Sequence, residues 1–496
     1  MTFVVDEAEM ENPIPVPEES RSSRRATLRR TLRYSQQESV ASATMTGAND
    51  NFLNAFAISL QATALQLGWL TAIPQLFGAV WQIVSVWMGN HVKRKPLVVG
   101  VALLQSLLVG LMALLSVANG FGELQSSRVL WLIVLTVGYF SCINIIQPHW
   151  RAWMGGLVPR SRRGVFFAAR SRLTMAASLI VFIGGGVLLS YTEMADRAWL
   201  GFGLLFGVAA IGRLVSAYLL WRMHDPELES AQTAMRLRDS LLHIKESLKD
   251  PTFRHYSFFV ACFQGAVAVS APFFAMYMLR DLQFTYLQFS LNSIASIATQ
   301  FLLLRFWGRF SDRFGNHLVM VMSSCAIPVI PLAWLVSPDP LYLVFVQIVS
   351  GVFWSGFTLS TANYLYDIRP HHTNFALYAA IQSGSSALMV FCGGLFGGYV
   401  ARQAPAIADA IVDIWEPGSA LFIVFVVSAI LRGAIVAWFM PRLKEPKIRS
   451  RPKLLDVIFR IARISSISGV SLDWMSVTRK DQGGDRRDTE TPKDPE

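Results

Sequence analysis

Apolar residues run in helix-length blocks from about Ala43 to Met440, and each block is closed by a short polar connection. The blocks fall at 43–65, 68–90, 96–117, 130–150, 165–190 and 198–223, then at 256–279, 287–306, 318–336, 341–366, 376–400 and 420–440. A helix of roughly 20 apolar residues matches the thickness of a bilayer's hydrocarbon core. Twelve such blocks in series predict an all-α membrane protein with 12 transmembrane helices and leave little chain for a water-soluble core.

The connections carry an alternating charge pattern. One set is rich in arginine and lysine: the arm before residue 43 (Arg21 to Arg33), Lys93-Arg94-Lys95, Arg160 to Arg163, the long stretch after Met223, Arg305 to Arg313, and Arg369. The other set holds only Arg128, Arg197, Arg280 and Arg402. Basic loops stay on the cytoplasmic side. Both termini are therefore expected in the cytoplasm, which an even number of spans also requires. The expected location is a bacterial inner (plasma) membrane.

Composition agrees: 53% of residues are hydrophobic, only 16% are charged, and the mean hydropathy is +0.41. A soluble chain of 496 residues would need more polar surface. The net charge of +11 sits beside the membrane segments, so it points to the lipid surface rather than to nucleic acid. Cys142, Cys262, Cys325 and Cys392 all lie inside apolar blocks without metal-ligand spacing, and are expected as small core residues. No metal and no cofactor is expected. Walker, HExxH and GxSxG patterns are missing from the sequence, which argues against an enzyme.

Outside the spans, residues 1–42 read as a disordered basic arm lying near anionic lipid. Residues 224–255 read as a cytoplasmic linker whose Leu237, Leu241, Ile244 and Leu248 form one helical stripe. The tail 441–496 contains a second amphipathic stretch, 453–466, suited to the inner interface. The linker divides the spans into a 43–223 group and a 256–440 group of six each.

The two groups look alike. Phe166-Phe167-Ala168-Ala169 aligns with Leu377-Tyr378-Ala379-Ala380, and glycine runs follow both: Gly184-Gly185-Gly186 and Gly393-Gly394. Internal repeats in a membrane bundle mark carriers whose site lies between the repeats. The connection after the eighth block reads Gly308-Arg309-Phe310-Ser311-Asp312-Arg313-Phe314-Gly315. It resembles the Gly-x-x-x-Asp-Arg-x-Gly loop of the major facilitator superfamily, which follows the second helix of each half. The matching loop here, Gly89 to Lys95, keeps only the basic end. The resemblance implies two six-helix bundles and a gating loop in which Gly308, Asp312, Arg313 and Gly315 act. Gly308 would permit close helix approach and Gly315 a tight turn.

Asp50 is the one carboxylate well inside a block of the first group, within Asn49-Asp50-Asn51-Phe52-Leu53-Asn54. An ionised carboxylate in hydrocarbon is costly, so it must face a cavity, a partner or a proton. Acidic residues on the first helix also serve proton-coupled members of the superfamily, so the resemblance points the same way. The alternative is a structural pair with a fixed arginine. Asn51 and Asn54 stand beside it as amides for a polar solute. Gln147, Arg151 and Arg170 form a polar, aromatic-flanked group in which the arginines either bind an anion, neutralise Asp50 or anchor at the interface beside Trp150 and Trp153. Gln264, Gln347 and Gln382 serve either a hydroxylated solute or a neighbouring helix. Asp367, Arg369, His371 and His372 read as a loop or inner-gate group. The expected function is a monomeric secondary transporter moving a small organic solute by alternating access on a proton gradient. Two other classes fit the same pattern: a lipid or lysolipid flippase, and a non-transporting sensor or assembly factor.

Overall fold

A computed structural model describes residues 18–88, 92–120, 127–158, 163–225, 249–368, 375–410 and 418–443. Among these the chain is helical throughout, with no strand. The first half comprises α1 (Glu18–Met45), α2 (Leu53–Ser59), α3 (Ala64–Met88), α4 (Arg94–Gly120), α5 (Arg128–Leu157), α6 (Arg163–Met194) and α7 (Ala198–Arg222). The second comprises α8 (Pro251–Met276), α9 (Tyr286–Phe314), α10 (Asn316–Ala326), α11 (Val329–Ala333), α12 (Pro340–Ile368), α13 (Phe375–Ala410) and α14 (Leu421–Phe439). Ten helices among the described residues are long and apolar enough to cross a membrane. The expected spans 43–65 and 68–90 are not among them. The first is broken by one π-helical turn, Thr46–Asp50, between α1 and α2, and the second corresponds to α3. The described helices pack as one unit.

The expectation of a disordered arm fails from Glu18 onward, because α1 begins there and continues without a break into the bundle. The reason is local. Gly212 on α7 has no side chain to hold α1 away; a Cβ there would fall 3.0 Å from the Ala41 carbonyl. Thr31, Ser35, Glu38 and Ser39 are all buried, and the Ser35 hydroxyl donates to Met154 Sδ at 3.4 Å. One face of the arm is thus part of the core, and only its arginine face remains exposed. The expected linker helix (237–248), the tail helix (453–466), Arg369, His371 and His372 lie outside the described residues.

The halves repeat each other at a tight corner. Leu60-Gln61-Ala62-Thr63-Ala64-Leu65-Gln66 recurs as Leu282-Gln283-Phe284-Thr285-Tyr286-Leu287-Gln288. Gln61 and Gln283 both adopt positive φ, 61° and 52°. Each following helix opens with the same reciprocal cap. The Thr63 N–H donates to Gln66 Oε1 (2.9 Å) and the Gln66 N–H to Thr63 Oγ1 (3.3 Å); the Thr285 and Gln288 pair repeats this at 3.0 and 3.2 Å.

At the end of the bundle carrying these corners the two halves close on each other. A Cβ on Gly68 of α3 would lie 2.8 Å from the Gly394 carbonyl and 3.0 Å from Gly398 Cα, both on α13. The Leu287 N–H donates to Ser190 Oγ across the halves at 2.9 Å. Phe52 packs on Phe182 (5.0 Å between ring centroids) and both reach Phe289 of the second half at 6.4 Å, while Phe202 meets Tyr286 at 5.4 Å. These rings plug that end. Gly68→Val should therefore wedge it open. Overpacking costs about 1–3 kcal/mol, which shifts a two-state equilibrium roughly five- to hundredfold. Thiol labelling of a single cysteine at Ser59 checks this: faster labelling in the Gly68→Val background is expected, and an unchanged rate means the glycine contact does not hold the closure.

Candidate transport site

Asp50 sits at the last residue of the π-helical turn, directly beneath the aromatic plug that begins at Phe52. A π turn inserts an extra residue and re-aims the side chains that follow, and such turns gather at functional sites. Here the chain is also drawn tight: a Cβ on Gly47 would lie 2.6 Å from the Ser178 carbonyl of α6. The Asp50 carboxylate is half-buried. It accepts from the Tyr139 hydroxyl of α5 at 2.5 Å and from Asn49 Nδ2 at 3.3 Å. No cation pairs with it among the described ion pairs. Asn54, one turn on, is half-buried. Asn51 spends its amide on the turn itself, donating to the Gly47 carbonyl at 3.3 Å and to that of Thr46 at 3.4 Å. Its NH2 group thus braces the π turn.

The arginines part company. Arg170 pairs with Glu38, not with Asp50. It donates to Glu38 at 2.5 Å and lies 4.2 Å over the Trp150 ring. The other Glu38 oxygen accepts from Ser216 Oγ at 2.9 Å and stands 3.9 Å from Arg213 of α7. This carboxylate–arginine cluster joins α1, α6 and α7 inside the first half. Arg151 is exposed and donates to the equally exposed Gln147 (3.3 Å). Trp153 is wholly buried, its indole N–H donating to the His224 carbonyl, so it is a core residue and not part of an aromatic belt.

In the second half Gln264, Gln347 and Gln382 are half-buried, and Gln382 donates to Ser386 on its own helix at 3.0 Å. Arg432 of α14 is 2% exposed and donates to Ser270 Oγ at 2.7 Å. The loop expected to gate takes a specific form. Gly315 has φ 91° and turns α9 into α10, as expected of it. Ser311 donates to Asn316 Oδ1, and Asn316 in turn donates to Asp367 at the end of α12 at 2.7 Å. Arg313 lies over the Phe314 ring at 5.4 Å. The space beside Gly308 is open, so the close approach expected there is not made in this conformation. Of the cysteines, Cys142 is buried and Cys262 partly so, whereas Cys325 and Cys392 face outward on their helices, contrary to a uniform core role.

Glu38, Tyr139, Arg213 and Arg432 are missed by reasoning from sequence. The available signal is a polar or ionisable side chain at helical spacing within an apolar stretch. Glu38 is hidden because it lies beside the basic arm.

An all-helical bundle of this length, crossed repeatedly by apolar helices and holding a cation-free carboxylate beneath a closure between two repeated halves, has the build of a membrane carrier. A family model of the Major Facilitator Superfamily matches residues 39–276 and 256–477, and the chain belongs to that family of membrane solute transporters. No curated protein matches the sequence. Three solved structures are similar at 13% identity. They are a D-xylose–proton symporter (TM-score 0.60, covering 85% of this chain and 98% of that one), the nucleoside transporter NupG (0.59, 84% and 99%), and a bacterial homologue of the human lysosomal transporter Spinster in an inward-facing, occupied conformation (0.59, 85% and 97%).

Proposed function

We propose that the protein is a proton-coupled secondary transporter that moves a small organic solute by alternating access. The observation that carries this reading is the Asp50 carboxylate, held by a phenol and an amide with no cation beside it, immediately below the closed junction of the halves. A group so placed can trade its charge for a proton when the cavity changes sides. Twelve spans then form two bundles, 43–223 and 256–440, with both termini in the cytoplasm of an inner membrane. In that orientation the corners at Gln61 and Gln283 face outward, and the closure at that end makes this an inward-facing state. Asn54, Gln264, Gln347 and Gln382 supply amides for a neutral or hydroxylated solute, while Asn316 and Asp367 work with the Asp312–Arg313 loop at the inner side. The D-xylose–proton symporter among the similar structures fits proton coupling, and no cofactor is required. The protein acts as a monomer in this scheme.

The test is flux across proteoliposomes over a panel of sugars, nucleosides and organic acids, with an imposed pH gradient. Accumulation of one solute class that vanishes on adding a protonophore is the expected result. Flux indifferent to the gradient overturns the coupling, and failure of every solute overturns the carrier reading.

A further inference from the structure

We propose that the corner where α1 meets the end of α7 binds the phosphate of an anionic phospholipid, with the acyl chains lying along α7. The reading requires only that α7 spans the membrane and is independent of what the protein carries.

Two guanidinium groups are held close together there by phenols. Arg30 Nε donates to the Tyr34 hydroxyl at 3.0 Å, and Arg222 Nη2 donates to the same oxygen at 3.2 Å. Arg222 Nη1 donates to the Tyr218 hydroxyl at 2.8 Å. The Arg222 guanidinium also lies 5.6 and 5.8 Å from the centres of the Tyr34 and Tyr218 rings. Tyr34, on the arm outside the expected spans, has its hydroxyl pKa lowered, first by the Arg30 hydrogen bond. The described carboxylates nearby are committed elsewhere: Glu38 to Arg170 and Arg213, and Asp225 to Arg94 at 2.6 Å. Two like charges fixed side by side on neutral partners, with both arginines exposed and Arg33 exposed one turn on, form a fork for an external anion.

The stripe below the fork says which anion. Leu204, Val208, Ile211, Val215 and Tyr218 follow at helical spacing down one face of α7, each 45–64% exposed, and Arg222 ends the row. Trp221 packs on Tyr218 at 6.1 Å and is itself exposed. The apolar span ends at Arg222, so the fork stands at headgroup depth with aromatic rings at the interface. A soluble phosphate would use the arginines alone. A phospholipid covers fork and stripe together.

The test is native mass spectrometry of the purified full chain in neutral detergent, titrated with dioleoyl phosphatidylglycerol or dioleoyl phosphatidylcholine. Wild type should retain phosphatidylglycerol preferentially. In the double variant Arg30→Gln/Arg222→Gln that preference should fall about thirtyfold, as expected for losing two interfacial arginines. Both side chains are exposed, so the melting temperature in lipid-free detergent should not change. Arg222→Lys, which keeps charge but loses the two-pronged contact, should fall between. Equal preference in wild type and double variant overturns the site. Displacement of the lipid by glycerol 3-phosphate overturns the lipid assignment in favour of a soluble anion.

Discussion

Asp50→Asn is expected to abolish accumulation against a gradient while leaving solute exchange intact. In the coupled cycle each proton moved down one pH unit yields about tenfold accumulation of solute. Asparagine keeps the size of the side chain and still accepts from Tyr139, but cannot exchange a proton at neutral pH. Proteoliposomes with an inward proton gradient should therefore accumulate solute with wild type and only equilibrate it with the variant. Counterflow, which needs the bundles to rock but needs no net proton, should survive. Tyr139→Phe removes the 2.5 Å donor while keeping the ring; gradient-driven flux should persist with a displaced pH profile. Equal accumulation by wild type and Asp50→Asn would remove Asp50 from the coupling, and the π turn would then be a structural feature only.

The second large effect concerns folding rather than transport. Glu38→Ala should lower stability by about 3–5 kcal/mol, because it leaves two buried or half-buried arginines without their counter-charge. Arg213 is almost as buried as Glu38, with side chains 6% and 4% exposed, so neither can turn to water. Thermal melting in detergent should report a clear fall for Glu38→Ala and a smaller one for Glu38→Gln, which still accepts from Ser216. Replacing Glu38 and Arg213 together by methionine should recover much of the loss, since the pair is removed as a unit. A melting temperature for Glu38→Ala equal to wild type would show the cluster to be energetically idle.

Much of this fold is legible along the chain because bilayer thickness imposes a coarse, repeated signal. Apolar blocks and basic loops place most helices within a few residues. Asp50 stands out for the same reason, as a lone acid in apolar surroundings. Tyr139 does not: a tyrosine in a span is ordinary, and only the fold brings its hydroxyl to a carboxylate on another helix. Arg170 is noticed, but its partner Glu38 is not, because Glu38 sits in a stretch whose arginines read as solvated. A one-dimensional pattern averages over both faces of a helix, so it cannot reveal that one face of α1 is basic while the other is buried against α6 and α7. The π turn braced by Asn51 is hidden too, since it leaves no mark in hydrophobic periodicity.

The Glu38 cluster also sets the order in which the first half can be completed. Glu38 is made 132 residues before Arg170 and 178 before Ser216. At a synthesis rate of about 5–20 residues per second, its carboxylate waits on the order of ten seconds for these partners. Until then α1 has no fixed seat, and its acid is best left in water beside the arginines of the arm. The first half is therefore a clasp fastened from its last helix backwards: the helix that opens the bundle is the one whose place is settled only when α7 arrives.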